Sequence, residues 1–236
     1  MHIIKFYYQQ IAIVLVTVVH SIRILLYMAF SSNQSLFHRY SRIWSSIILK
    51  ISGVKLEIIG AELLNPNEKY IYVANHSSLF DIPVLLAGLN DSVRIMYKKE
   101  LENIPIFGWG LRKSPFISIV REDPRNAMAG IEKALESIST GDSIIVFPEG
   151  TRSLDGKPQT FKRGAFMLAA RAAKPIVPIS LIGTFSVFDK PNKIFHPTTV
   201  KIILHKPIPP NPNSSSVDEK RLMAAVYEII KKDVEG

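Results

Sequence analysis

The residues with the clearest chemical potential are His76 and Asp81. A β-type run at residues 70–74 precedes them, and an apolar helical run at 82–89 follows, so they lie where a strand gives way to a helix. Many α/β proteins place their chemistry at such an edge. On one continuous helix the two side chains would point about 140° apart and could not meet. Their interaction therefore requires the helix to begin after His76.

A helix that begins at Ser77 or Ser78 would leave His76 in the preceding loop, where Asp81 can reach it from the first turn. A carboxylate on one imidazole nitrogen fixes the tautomer and leaves the other nitrogen free to take a proton. The pair thus predicts a general base, which typically contributes about 10²–10⁴-fold in rate. A structural role is the alternative, because Ser78 and Asp81 also have the spacing of a capping box.

Composition limits the other kinds of chemistry. The chain has 236 residues, 47% of them hydrophobic, which is enough for one domain or one domain with a small appendage. It has no cysteine, which excludes disulfides, cysteine-ligated zinc and a cysteine nucleophile. Its six histidines show no metal-ligand spacing. We therefore expect no metal and no resident cofactor.

The net charge of +9 and the pI of about 9.6 suggest an anionic partner, such as a phosphorylated substrate, an anionic lipid or a nucleic acid. The basic residues are dispersed through loops and no nucleic-acid reading motif is visible, so we expect no nucleic acid. The chain also lacks a Gly-x-x-x-x-Gly-Lys-Ser/Thr loop, which disfavours a nucleotide enzyme.

The N-terminal region is strongly apolar over residues 11–30, with Arg23 as an interruption. A second segment, after the polar turn 31–35, combines isoleucines with Arg39, Arg42 and Lys50. These segments predict a helical hairpin at residues 1–52 that lies in one leaflet, with its basic side chains at the phospholipid headgroups. Three alternatives remain open: a transmembrane helix at 6–30, a signal peptide, or two core helices.

From residue 53 to 236 strand and helix patterns alternate. The predicted strands are 54–59, 70–74, 93–97, 116–120, 143–147, 176–182 and 199–205. Predicted helices follow residue 81, run from 123–124 to about 137 and from 161 to 173, and begin at a Ser216-x-x-Glu219 cap. Residues 104–110 are apolar and turn-like. This pattern predicts an α/β domain with a mixed, largely parallel central sheet flanked by helices.

Basic or glycine-containing loops follow four of the predicted strands. They are the His76 loop, Lys98-Lys99, Arg121 and the segment Glu149-Gly150-Thr151-Arg152. Parallel strands gather such loops on one edge, where a guanidinium and bare backbone amides make a good phosphate site. Glu149 would accept a hydrogen bond from a substrate hydroxyl or hold Arg152, and Lys162 adds positive charge. The alternative is a solvated face with an ordinary turn that contains a Glu149–Arg152 ion pair.

These motifs resemble those of the glycerolipid acyltransferases. Residues 75–81 have that family's Asn-His-x-x-x-x-Asp pattern, and residues 147–153 have its Phe-Pro-Glu-Gly-Thr-Arg-Ser block. The second and fourth blocks resemble residues 98–101 with Pro105, Gly108 and Arg121, and residues 177–179. The order and spacing agree across residues 53–205, and the chain is most similar to the short 1-acyl-sn-glycerol-3-phosphate acyltransferases.

The resemblance implies a reaction without an acyl-enzyme. His76, oriented by Asp81, would deprotonate the sn-2 hydroxyl of lysophosphatidate, which then attacks the thioester of acyl-CoA or acyl-carrier protein and gives phosphatidic acid. Arg152 and the Gly150 backbone would hold the phosphate, and Glu149 would orient the acceptor. The substrate-binding residues that the resemblance implies are Lys98, Arg121, Glu149, Gly150, Thr151, Arg152 and Lys162.

The resemblance further implies a membrane phospholipid bilayer as partner and a location on the cytoplasmic face of the inner (plasma) membrane. Within this class, glycerol 3-phosphate or another lysophospholipid remains an alternative acceptor. In a different class, the chain would be a non-catalytic basic protein that binds membrane surfaces.

Overall fold

The computed structural model describes residues 2–30, 34–120, 124–211, 213 and 215–236. It begins with two helices, α1 (His2–Phe30) and α2 (Gln34–Ser52), as the sequence predicts. Among the described helices, α1 alone is long and apolar enough to cross a membrane. Only 11% of its most apolar stretch is buried, so α1 is not the core helix that one of the alternatives supposed.

The remaining elements alternate between strands and helices. The strands are β1 (Val54–Ile59), β2 (Ile71–Ala74), β3 (Val93–Lys98), β4 (Ile117–Ile119), β5 (Ser143–Val146), β6 (Ile176–Ile182), β7 (Phe188–Asp189), β8 (Ile194–Phe195) and β9 (Thr198–Leu204). The helices are α3 (Asp81–Gly88), α4 (Phe107–Lys113), α5 (Pro124–Ser139), α6 (Gly164–Ala172) and α7 (Ser216–Glu235). The predicted α/β class is confirmed.

Seven strands form one sheet in the order β1-β9-β6-β2-β5-β3-β4, and β7 pairs with β8 separately. All neighbours in the large sheet are parallel except β6 and β9, so the mixed, largely parallel sheet is confirmed. Side chains alternate across the sheet. On β2, Ile71 and Val73 join one buried cluster while Tyr72 and Ala74 join the other. Both faces are therefore covered, and the central strands are buried.

Three local predictions were wrong in their details. Residues 104–110 were expected to form a turn, but α4 begins at Phe107, after Ile106 reverses the chain at a φ of 65°. The helix expected from 161 begins at Gly164. The cap of α7 lies one residue earlier than predicted, because Ser215 and Asp218 complete a capping box with reciprocal backbone hydrogen bonds. The predicted N-cap at 123 lies outside the described residues.

Helix α1 contacts the α/β domain near its start and again at Ser21. Near its start Phe6 stacks on Phe195, which belongs to the hairpin after β6. Further along, Ser21 packs against Gly110 of α4, which follows β3. These contacts are 15 residues apart, or about 22 Å along a helix. Strands β6 and β3 are three strand spacings apart, about 14 Å. The helix is therefore long enough to reach from the hairpin after β6 to α4, which connects β3 with β4. The division of the chain at residue 52 stays a prediction.

Candidate active site

The structure brings His76 and Asp81 into direct contact. His76 Nδ1 lies 2.7 Å from Asp81 Oδ2, and the Asp81 side chain is fully buried. The same oxygen accepts the backbone N–H groups of Ser77 at 2.8 Å and Ser78 at 2.9 Å. Because a carboxylate accepts these hydrogen bonds, Nδ1 carries the hydrogen and Nε2 is the nitrogen available to take a proton.

The loop that holds this pair is longer than predicted. Helix α3 begins at Asp81 with Phe80 as its N-cap, rather than at Ser77 or Ser78, so the capping box of Ser78 and Asp81 does not form. The chain instead folds around the Asp81 carboxylate, which binds two loop amides and the imidazole. His76 lies in the preceding loop, as expected.

Phe147 covers one face of the imidazole. Its ring is stacked on His76 with the centroids 4.1 Å apart and an interplanar angle of 21°. His76 is 8% exposed, and among the described residues its Nε2 has no hydrogen-bond partner. The base is therefore held between a buried carboxylate and an aromatic wall, with one nitrogen left for a substrate.

The loop after β5 fixes the backbone of His76 on both sides. Glu149 Oε1 accepts the His76 N–H at 2.8 Å, and the Ser153 N–H donates to the His76 carbonyl at 2.8 Å. The expectation for Glu149 was a substrate hydroxyl or Arg152 as its partner, but the contact that the structure gives to Oε1 is the His76 amide. Burial raises the pKa of Glu149 to about 7, opposed by the hydrogen bond from His76, and the charge of Asp81 adds to the rise.

Asn75 ties the His76 loop to β6. Its amide donates to the Leu181 carbonyl at 3.0 Å and accepts the Leu181 N–H at 2.8 Å. Next to it, the Ser77 and Thr184 hydroxyls are 3.1 Å apart. The sequence assigned no role to Asn75. The available signal was an amide side chain at a strand end, because it carries the donor and acceptor needed to pair with a neighbouring strand.

The loop of residues 147–153 also gathers positive charge. Gly150 has a φ of 77°, and a Cβ at this position would lie 2.9 Å from Lys162 Nζ. The Lys162 N–H donates to the Pro148 carbonyl at 2.8 Å, which fixes Lys162 beside the loop. Thr151 and Arg152 are exposed on the same loop. Gly150, Thr151, Arg152 and Lys162 thus lie together, and this group can bind a phosphate.

Of the other predicted binding residues, the structure describes Lys98, which lies further along the edge. Lys98 ends β3, next to β5, and its Nζ is 3.4 Å from Glu100, with both side chains more than 40% exposed. Arg121 lies outside the described residues. No group of three or more His, Asp or Glu side chains in the described part of the chain is placed to hold a metal ion.

Comparisons with known proteins agree with this geometry. The family model described as Acyltransferase matches residues 55–182. A chloroplastic 1-acyl-sn-glycerol-3-phosphate acyltransferase of Brassica napus is 36% identical over 175 residues, which cover 73% of this chain and 50% of the relative. The 1-acyl-sn-glycerol-3-phosphate acyltransferase of Helicobacter pylori is 34% identical over 173 residues, 72% of either chain.

A solved structure matches almost the whole chain. The crystal structure of the 1-acyl-sn-glycerophosphate acyltransferase PlsC from Thermotoga maritima aligns with a TM-score of 0.81 at 27% identity, over 99% of this chain and 95% of that one. The chain spans about half the length of the chloroplastic relatives it matches.

Proposed function

The chain belongs to the acyltransferase family, and we propose that it transfers a fatty acyl group from a thioester to the sn-2 hydroxyl of 1-acyl-sn-glycerol 3-phosphate, giving phosphatidic acid. The observation that carries this proposal is the buried His76–Asp81 pair, whose backbone is hydrogen-bonded to the glycine-containing cationic loop after β5. The names of the relatives support lysophosphatidate as the acceptor. The donor, acyl-CoA or acyl-carrier protein, is a co-substrate, and no cofactor takes part.

The chemical step begins with proton transfer. Nε2 of His76 takes the proton of the sn-2 hydroxyl as its oxygen attacks the thioester carbonyl carbon. The buried Asp81 carboxylate stabilises the resulting imidazolium. When the tetrahedral intermediate collapses, the C–S bond breaks, the thiolate leaves, and the imidazolium returns the proton to give the free thiol. The acyl group passes directly from donor to acceptor, so no acyl-enzyme forms.

The acceptor phosphate would bind to the loop after β5. Arg152 offers a bidentate guanidinium, and Lys162 and the Gly150–Thr151 backbone add charge and donors. Lys98, at the end of β3, would add positive charge, and Arg121 stays a predicted substrate-binding residue. Glu149 couples this loop to the base, because its carboxylate holds the His76 amide. We propose that a phosphate bound to this loop brings the sn-2 hydroxyl to Nε2.

Membrane attachment through α1 would bring the lipid acceptor to this site. Large apolar side chains along α1 are exposed, among them Ile4, Ile11 and Leu15. Because α1 contacts the domain at both Phe6 and Ser21, it lies along the surface, which favours a helix within one leaflet over one that crosses the bilayer. The proposed location is the cytoplasmic face of the inner (plasma) membrane, where thioester donors are available.

The test is acyl transfer by the purified protein in detergent or lipid. Labelled acyl-CoA is offered with lysophosphatidate, glycerol 3-phosphate or lysophosphatidylcholine, and acyl-carrier protein replaces CoA in a parallel series. We expect phosphatidate from lysophosphatidate, and a loss of about 10²–10⁴-fold in His76→Ala. His205→Ala is the matched control, because His205 forms a second His–Asp pair, 2.8 Å from Asp233, away from the site.

Preference for another acceptor would change the proposed substrate and leave the proposed role of His76 as the base unchanged. Full activity in His76→Ala would refute the mechanism. A protein that binds lipid but transfers nothing from either donor would favour the non-catalytic alternative.

A further inference from the structure

Each of the three loops that follow β2, β5 and β6 at the carboxyl edge of the sheet exposes a large apolar side chain. These side chains are Leu79, which is 65% exposed, Leu154 at 95% and Phe185 at 43%, and we call them the apolar rim. Single exposed apolar residues are common on protein surfaces and need no explanation. A contiguous group beside a candidate active site is informative, because such patches mark interaction surfaces.

The three loops of the apolar rim form one connected surface. They follow β2, β5 and β6, which are neighbouring parallel strands. The loop with Leu79 is joined to the loop with Leu154 by the hydrogen bond from Ser153 to His76. It is joined to the loop with Phe185 through the hydroxyls of Ser77 and Thr184. A Cβ at Gly156 would lie 3.1 Å from Phe185, so the other two loops also touch.

Leu154 lies in a hydrogen-bonded turn. The Gly156 N–H donates to Ser153 Oγ at 2.8 Å, and the Lys157 N–H donates to Asp155 Oδ1 at 3.0 Å. This turn holds Leu154 away from the core. Nothing in the turn buries the side chain, so its position favours a contact outside the chain.

The charge around the apolar rim is positive. Residues 150–162 contain three exposed cations, Arg152, Lys157 and Lys162, and one acid, Asp155. Within the described residues none of the three cations has an ion-pair partner. The stretches 77–80 and 183–187 carry no charge. An apolar rim with a net positive border complements an anionic phospholipid surface. The headgroups attract Lys and Arg, and the acyl region accepts the leucine side chain.

We propose that the apolar rim is a second membrane contact, which inserts Leu154 and its neighbours into an anionic phospholipid surface. The start of α1 stacks on the hairpin that directly follows the rim loop of Phe185, so the two contacts together would hold the His76 loop at the bilayer. The inference rests on the proposed function, because its purpose is to let a lipid acceptor reach His76 without leaving the membrane. The phosphate of lysophosphatidate lies at headgroup level, so the cations of the loop can bind both the membrane surface and the phosphate of the substrate.

The first experiment compares vesicle binding of the full chain and two variants. Leu154→Ser removes the most exposed member of the rim and leaves the core untouched. Leu63→Ser is the matched control, because Leu63 is 47% exposed in the turn after β1, at the opposite edge of the sheet. Flotation with vesicles of phosphatidylcholine and phosphatidylglycerol should show about tenfold weaker binding for Leu154→Ser, as expected for one lost leucine burial, and unchanged binding for Leu63→Ser.

The second experiment measures transfer to two forms of lysophosphatidate. With a short-chain, monomeric acceptor Leu154→Ser should match the unmodified protein, and with a long-chain acceptor in vesicles it should be severalfold slower. Unchanged vesicle affinity in Leu154→Ser would overturn the proposal. If unchanged vesicle affinity is accompanied by slower transfer from acyl-carrier protein, the rim binds the donor instead of the membrane. If the unmodified protein transfers nothing, the proposed function fails, while vesicle affinity still decides the role of the rim.

Discussion

The buried carboxyl of Glu149 should make the stability of this protein depend on pH in a specific direction. Its pKa is raised from 4.5 to about 7 by burial. As the pH rises, the unfolded chain therefore releases this proton before the folded chain does, and the free energy of unfolding falls. Below pH 4.5 the carboxyl is protonated in both states and does not lower the free energy of unfolding. The cost of ionising it in the folded state grows above pH 4.5 and reaches its full size as the pH passes 7.

The size of the effect follows from the difference between the two pKa values. At 1.36 kcal/mol per pKa unit, ionised Glu149 costs about 3 kcal/mol at pH 8, where both states have lost the proton. At pH 5 the cost is only about 1 kcal/mol, because the folded state is still protonated. Glu149→Gln removes the charge and keeps an oxygen that can accept the His76 N–H. The variant should therefore gain about 2 kcal/mol over the unmodified protein between pH 5 and pH 8.

The assay is denaturant unfolding in a mild detergent, followed by the fluorescence of Trp44 and Trp109. Both proteins are measured at pH 5, 6, 7 and 8, and the difference in unfolding free energy is plotted against pH. Glu228→Gln, at an exposed position of α7, corrects for the general effect of removing one negative charge. A difference between Glu149→Gln and the unmodified protein that stays constant from pH 5 to pH 8 would refute the reasoning, because it would mean that Glu149 is not desolvated in the folded state.

Two further substitutions test the loops around the base. Asn75→Ala leaves the N–H and carbonyl of Leu181 without partners at a buried site, so the unfolding free energy should fall by about 2–4 kcal/mol, and transfer should slow because the His76 loop loses its anchor. An unchanged unfolding curve would contradict this role. Arg152→Ala changes an exposed side chain, so stability should be preserved while the acceptor KM rises by roughly tenfold or more and the donor KM stays the same. An equal rise in both KM values would argue against phosphate binding by Arg152.

The sequence predicted which segments form strands and which form helices, because these depend on local patterns. Period-two alternation and buried apolar runs located all seven strands of the main sheet, and apolar segments located α1 and α2. The helix boundaries were predicted less accurately where neighbouring residues can both act as caps. Ser215 and Ser216 are both good N-caps, and each has an acidic residue three positions later, so the local pattern does not distinguish the box with Asp218, which forms, from the one with Glu219. Residues 104–110 lack a helical period, and α4 forms after a reversal at Ile106 that no local pattern indicates.

The positions of the candidate site residues were predictable to different degrees. That His76 and Asp81 would meet followed from their separation along the chain and from the strand that precedes them. The partner of Glu149 was not predictable, because its hydrogen bond to His76 requires β5 to lie beside β2 in the correct register. Lys98 ends its strand as expected, while no sequence pattern indicated that Glu100 would lie beside its ammonium.

By itself, the sequence determined the chemical pair, the alternation of strands and helices, the apolar first helix and the glycine-containing cationic loop. Each of these is a property of residues close together in the chain, and local sterics and hydrophobic periodicity are enough to specify it. Only the tertiary structure decided that Glu149 and Asn75 fix the His76 loop, across 73 and 106 residues of chain, and that the start of α1 packs on the hairpin next to the apolar rim. These contacts depend on strand order and register, which are set when distant segments bury their apolar faces against each other.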